Sequence, residues 1–444
     1  MGKRKYRIRW DRVFLLLVCP VVLLCLAVTG VYHAAIGISS LFSGKAPAAG
    51  DTAVVRTLSK EMLLADKAMT GRIDSFMSQP MRLDRKDIAV SVYDVTTGRY
   101  VYNLNDQKLL PPASCMKLPL AVAAIKTLGL DHHYHESLLV RGEIRRDTLV
   151  GTLLLRADAD PLLEDFHGLV RQMRGRGIRH IRGNVMVTLE CEDTLRQHPT
   201  AKRWDIPYNK TPLLLKGKAH VTRRLIESLR MGGVTFKRDG SVRPTGKYHY
   251  AATSSHPMRA ALIPVLANSS NVRAEAIFYH LDYKAGLRPE RKISWTSPHA
   301  VETFLRKTFR DDSTHVMKGF VINDGSGLSP DNRLNARFLV EVLKYVHGDR
   351  QMYEFFRDEA LATPCDSVRR GSLLSRMSRP DLRGRIFVKT GTIVTIGASS
   401  LSGYLQGLDG HEYIFSIINV NSPVAEARMF QDRLCRLMMT GKTR

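Results

Sequence analysis

Ser114 and Lys117 stand three residues apart in LPPASCMKLPLAV, the one S-x-x-K in a chain of 444 residues. On a helix, residues three apart share a face, so the Lys117 amine can lie beside the Ser114 hydroxyl. A serine hydroxyl is a poor nucleophile at neutral pH and needs an adjacent base, which a neutral lysine can supply. Two more short motifs follow in order. Ser269-Ser270-Asn271 lies in VLANSSNVRAEAI, and Lys389-Thr390-Gly391, followed by Thr392, lies in the strand-like RIFVKTGT. Composition alone yields about two chance S-x-x-K matches in a chain this long but only about 0.1 K-T-G. The ordered set is therefore far more specific than any member. Taken singly, Ser114 could open a helix, Asn271 could cap one and Lys389 could be an edge-strand cation.

Other residues invite chemistry less strongly. Asp131-His-His-Tyr-His-Glu136 contains zinc-type ligands. In a strand, alternation places His133 and His135 together and His132 opposite, which argues against a contiguous metal site. Gly175-Arg-Gly177 lacks the third glycine of a nucleotide loop and reads as a helix-to-strand turn. Cys115, Cys191, Cys365 and Cys435 are widely spaced without a CxxC, a pattern of isolated buried thiols. No metal and no organic cofactor is expected.

The elements that must carry the motifs can be read coarsely. A helix spans about Thr57 to Met77, and IAVSVYDVTTGRYVYNLN forms two strands joined at Asp94 to Gly98. PPASCMKLPLAVAAIKTLGL is an apolar helix closed by Gly129, with Pro119 threatening a kink one turn past Ser114. From His132 to Tyr250 the texture changes to short strand-like runs, LVGTLLLRAD and IRGNVMVTLE, with two helical segments, which reads as an insertion. Helices return from Pro257, and the chain closes with RIFVKTGT, ASSLSGYLQG and HEYIFSIINVN as strands. A last helix should follow, with Ser422 as N-cap and Pro423 in its first turn.

Charge and the N-terminus set the compartment. The chain carries 67 Lys and Arg against 42 Asp and Glu, a net +25 that favours polyanionic surroundings. Residues 1–12 hold six cations and one anion, and the uncharged run Val13 to Val31 follows. Nineteen residues in a helix span about 28 Å, close to the hydrocarbon thickness of a bilayer. Basic before apolar keeps the N-terminus in the cytoplasm and exports the rest. We therefore expect a cytoplasmic tail at 1–12, an uncleaved anchor at 13–35 and a linker at 36–56, a cleaved signal peptide being the alternative. Export excludes a nucleic-acid partner. The arginine-rich stretches 171–182 and 369–385 read as solvated faces or as docking surfaces for anionic wall polymer or lipid head groups.

The motif set resembles the serine β-lactamase and penicillin-binding-protein signature, and more closely the D-alanyl-D-alanine carboxypeptidase/endopeptidases of the low-molecular-mass class C penicillin-binding proteins. The resemblance runs from about Ile88 to Met438 and includes LLPPASCMK, INDGSGLSPDNR around Asp324 to Ser329, RRGSLLSRM, and SLSGYL after K-T-G. It implies an α+β fold: an antiparallel sheet flanked by helices, built from 57–131 and 251–444, with a β-rich α+β insertion at 132–250. Departures are Ser270 where Asp is common, Ala-Asp-Ala-Asp160-Pro161 without the family's glycines, and a span between Lys117 and Ser269 short enough that a further insertion is reduced or absent.

The resemblance also implies roles. Ser114 attacks the carbonyl between two terminal D-Ala residues of a muropeptide, and Lys117 takes its proton, kept neutral by nearby Lys389. Ser269 passes a proton to the leaving amine, and Asn271 orients Lys117 and the substrate amide. Lys389, Thr390, Gly391 and Thr392 hold the terminal carboxylate. Backbone N–H groups of Ser114 and Thr392 form the oxyanion hole. Expected partners are peptidoglycan peptides, β-lactam antibiotics and the membrane. A β-lactamase or esterase on the same fold, or a silent wall-binding protein, are the alternatives.

Overall fold

The computed structural model describes residues 59–191, 213–286, 299–309 and 317–443, apart from 365, 368, 374 and 375. The expected anchor at 13–35 and linker at 36–56 lie outside the described residues. Among the described residues, no helix is long and apolar enough to cross a membrane.

The first part runs α1 (Lys60–Met77), β1 (Ile88–Asp94), β2 (Arg99–Leu104) and, after a 3-10 turn at Ala113–Met116, α2 (Lys117–Leu128). There follow β3 (His133–Arg145), β4 (Thr148–Ala157), α3 (His167–Gly175), β5 (His180–Leu189), α4 (Lys218–Met231), β6 (Thr235–Arg238) and β7 (His249–Pro257). The chain continues with α5 (Met258–Leu266), α6 (Asn271–Lys284), α7 (Ala300–Thr308), α8 (Ala336–His347) and α9 (Arg350–Glu354). It ends with β8 (Ile386–Ile393), β9 (Ala398–Gln406), β10 (Glu412–Asn419) and α10 (Val424–Thr440).

Two five-stranded sheets result. The first has the order β2-β1-β10-β9-β8 and is antiparallel throughout, which leaves β8, the K-T-G strand, on its edge. Both faces of this sheet are covered. Ile414 and Ile418 of β10 pack with α2, α5, α6 and α8, whereas Phe415 and Ile417 pack with Met69 and Ile73 of α1 and Leu434 of α10. A strand buried on both sides has no polar face, so its sequence reads as an almost continuous apolar run. The second sheet, β6-β5-β4-β3-β7, mixes parallel and antiparallel pairs and is built wholly from residues between His133 and Pro257. Its core side packs Leu149, Leu153 and Leu155 against Val170 of α3 and Leu225 of α4.

Local expectations are met at most element ends, with informative differences. Gly129 closes α2 with a positive φ, and Gly177, also at positive φ, turns the chain from α3 toward β5. Pro119 is the third residue of α2. Its missing N–H falls among the first-turn donors that lack helical acceptors in any case, so the helix needs no kink. At the last helix the expected cap is shifted. Pro423 occupies the N-cap without a side-chain bond, because the Ser422 hydroxyl donates backwards to the Val420 carbonyl at 2.8 Å.

Candidate active site

Three elements converge at the edge of the first sheet. The chain enters the 3-10 turn through Ala113, which is fully buried at φ 46°, a left-handed conformation that a side chain resists. That reversal leaves Ser114 partly exposed while Cys115 and Met116 turn into the core. One turn on, Lys117 opens α2 with its side chain completely buried. Its Nζ donates to Ser114 Oγ at 2.9 Å and to Asn271 Oδ1 at 2.8 Å, and also to the Ser326 carbonyl. Asn271 is the first residue of α6. It is presented by Ser270, whose hydroxyl caps that helix by accepting from Arg273 N–H, and by Ser269 at φ 57°.

The edge strand closes the other side. Lys389 is fully buried, and its Nζ donates to Ser269 Oγ at 2.9 Å and to the Thr390 carbonyl at 2.7 Å. Gly391 stands where β8 crosses the nucleophile turn. A Cβ there would come within 2.8 Å of Ser114 N and 2.2 Å of Ser400 Oγ, so the close approach requires glycine. Thr392 Oγ1 accepts from the Arg428 guanidinium at 3.0 Å, which adds an exposed cation to the rim beyond Lys389.

Burial, more than mutual repulsion, sets the electrostatics. Desolvation holds the Lys117 amine well below the ordinary lysine range, and the Lys389 charge adds to the same direction as a second cause. Lys389 thus acts in the expected direction, with burial as the larger cause. Lys389 itself is lowered to about 8, again by desolvation.

Sequence reasoning missed one buried acid. Glu275, one helical turn after Asn271, accepts the Ser326 N–H at 2.7 Å, and the Ser326 carbonyl in turn accepts from Lys117 and from Ser114 Oγ. Desolvation, followed by the neighbouring Asp324, pushes the Glu275 carboxyl up to about 8. Asp324 folds the D-G-S-G-L-S loop from within, accepting the N–H groups of Gly327 and Ser329 at 2.7 Å each. The only sequence signal for Glu275 was an acid between alanines in an otherwise buried helical stretch.

A fold of this kind, with a buried amine on a half-buried serine hydroxyl and a cationic edge strand opposite, defines a serine-type D,D-peptidase of the penicillin-binding-protein class. The chain belongs to the D-Ala-D-Ala carboxypeptidase 3 (S13) family, whose model matches residues 69–213 and 208–439. It is 25% identical over 437 residues to the D-alanyl-D-alanine carboxypeptidase of Actinomadura sp. (strain R39), covering 78% of this chain and 80% of that one. Its fold resembles penicillin-binding protein 4 of Haemophilus influenzae, with a TM-score of 0.60 at 17% identity over 83% of this chain and 98% of the other. It also resembles a predatory peptidoglycan endopeptidase of Bdellovibrio bacteriovorus, with a TM-score of 0.51 at 15% identity over 78% and 87% of the two chains. The enzyme is a serine-type carboxypeptidase hydrolase.

Proposed function

We propose that this D,D-peptidase acts on peptidoglycan stem peptides, releasing the terminal D-Ala and cutting D-Ala crosslinks through an acyl-enzyme on Ser114. The observation that carries the assignment of roles is the 2.9 Å contact between the buried Lys117 amine and Ser114 Oγ. Lys117 is the base: burial holds its amine well below the ordinary lysine range, and once deprotonated it can accept a proton from the hydroxyl. Ser114 Oγ bonds to the penultimate D-Ala carbonyl as its proton passes to Lys117. The C–N bond breaks as a proton reaches the departing D-Ala amine through Ser269, which Lys389 orients at 2.9 Å. Water then adds to the ester carbonyl, returns a proton to the site and frees Ser114.

The remaining groups bind and orient. Asn271 holds Lys117 in register at 2.8 Å and faces the substrate amide. Lys389, Thr390, Gly391 and Thr392 receive the terminal carboxylate along the open edge of β8, and Arg428 reinforces the positive rim. Backbone N–H groups of Ser114 and Thr392 stabilise the oxyanion, where each donor is worth about 10² to 10³ in rate. A β-lactam carries a strained amide and a carboxylate in the same relation, so it acylates Ser114 as well. Residues 13–35 anchor the enzyme in the cytoplasmic membrane with the N-terminus inside and the catalytic body outside, a reading supported by the uncharged run behind six cations.

The test is release of free D-Ala from a muropeptide pentapeptide, run beside a D-Ala crosslinked dimer. Wild type should act on both and Ser114→Ala on neither. Rapid hydrolysis of penicillin without D-Ala release would instead establish a β-lactamase, and alkaline extraction of the full chain from membranes would remove the anchor from the account.

A further inference from the structure

Away from the peptidase centre, three ligand-type side chains meet where the second sheet ends. Glu136 lies on β3, Asp160 three residues beyond β4, and His256 on β7, opposite Tyr134 in the β3–β7 register. His256 Nδ1 is 2.5 Å from Asp160 Oδ2 and 3.9 Å from Glu136 Oε2, and one donor atom from each residue falls within 4.8 Å of the others. Both carboxylate side chains are completely buried, whereas the imidazole is about a third exposed, with its side chain at 35%.

Glu136 sets this cluster apart. Among the described residues, neither of its buried oxygens has a hydrogen-bond donor. A buried carboxylate without donors or a cation is strongly disfavoured. The contrast with Asp66, Asp94 and His411 is instructive. There Asp94 accepts the Thr96 and Thr97 N–H groups at 2.7 and 3.3 Å and meets His411 at 2.7 Å, and Asp66 accepts from the Thr97 hydroxyl at 3.3 Å and lies 4.0 Å from Arg99. There Asp94 has its own donors, and the one oxygen without a hydrogen bond, Asp66 Oδ2, has a cation beside it in Arg99. At Glu136 the donors are missing, and the other two side chains present a carboxylate and an imidazole to the same space.

We propose that Glu136, Asp160 and His256 form a binding site for a divalent transition-metal cation of the zinc type. Two carboxylate oxygens and one imidazole nitrogen, with a fourth position open through the exposed side of His256, are a three-ligand set of that chemistry. Ligand atoms held at about 2.1 Å from a tetrahedral ion stand about 3.4 Å apart, between the 2.5 and 3.9 Å separations seen here. Asp160 is shaped for it: its Oδ1 is occupied by the Leu162 N–H at 2.7 Å, which leaves Oδ2 for the cluster. Calcium and magnesium are disfavoured, since they seek more oxygen ligands and avoid imidazole. The cation would act structurally, fixing the 158–164 turn, whose Glu164 meets Arg273 of α6 at 2.9 Å two residues after Asn271.

The test uses the full chain, stripped with chelator and titrated with Zn²⁺ by calorimetry at pH 7.5. One saturable equivalent is expected. Glu136→Gln and His256→Asn should each weaken it by at least about tenfold, whereas His133→Ala/His135→Ala should bind as wild type does. X-ray absorption of the zinc-loaded wild type should show a single imidazole with oxygen ligands, a readout that requires no variant to fold. Absence of saturable binding, unchanged affinity in His256→Asn, or a first shell containing sulfur or several imidazoles would overturn the site. D-Ala release, measured in parallel, reports separately on the peptidase reading.

Discussion

Lys117 and Lys389, both completely buried, each donate to a different serine hydroxyl at 2.9 Å, Lys117 to Ser114 and Lys389 to Ser269. Two cations so placed cannot both keep their protons cheaply, and their environments separate them. Burial lowers both, Lys117 well below the ordinary lysine range and Lys389 to about 8. One amine is thus ready to accept a proton while the other remains available to attract a carboxylate, the division of labour that acid–base catalysis requires.

Lys117→Met should lower the rate of acylation by about 10² to 10⁴, the usual worth of a positioned base. The fold should survive. The substitution removes a desolvated amine from the core, so the melting temperature should stay level or rise. Stopped-flow acylation and thermal melts on the same preparation check both halves.

The pH profile of the acylation rate constant should be bell-shaped. Activity should rise as Lys117 gives up its proton, below the ordinary lysine range, and fall as Lys389 loses its own near 8. A rate that climbs without turning over to pH 10 would assign the carboxylate clamp to some other group.

Glu275 makes stability depend on pH with a definite sign. Its folded value of about 8 lies above the ordinary glutamate value, so the native state binds the extra proton. At low pH the group is neutral in both states. As pH rises from about 4.5 the unfolded chain releases its proton first, and stability falls until the native carboxyl also ionises near 8, by on the order of a few kcal/mol. Glu275→Gln keeps an acceptor for Ser326 N–H and should flatten this slope. Glu275→Ala orphans that N–H and should slow acylation through the displaced Ser326 carbonyl. Chemical denaturation across the pH range is the measurement.

Gly391→Ala would place a methyl 2.8 Å from Ser114 N and 2.2 Å from Ser400 Oγ. Backbone has to yield, because Ala113 and Ser114 are locked in a strained turn. A loss of about 1 to 3 kcal/mol is expected, with acylation reduced more than the melting temperature implies.

What the sequence disclosed and what it hid follow from range. S-x-x-K, S-x-N and K-T-G are each local and follow in order, so the set and the family resemblance it carries pointed to Ser114, Lys117, Asn271 and Lys389 together. Glu275 was hidden because its partner, Ser326, lies 51 residues away and its helix is buried on nearly every side, leaving no polar face to mark it. The strands β1 and β10 were found from their strand-like runs and, at β1, from the turn-type tip, although both are buried on both faces, so the alternation expected at β1 is not what marks it. The histidines of 132–135 drew the metal reading to a contiguous stretch. The cluster that does form takes Glu136 from that stretch and its partners from positions 24 and 120 residues on, a relation that only the β3–β4 and β3–β7 pairings create. The N-cap at Ser422 was misplaced by one residue because a hydroxyl can bond backwards as readily as forwards.

The most direct test of the account is to treat the enzyme with penicillin, digest it and locate the adduct by mass. One added penicillin is expected on the peptide containing Ser114, and none in Ser114→Ala. An adduct on any other peptide, or equal labelling of Ser114→Ala, would contradict it.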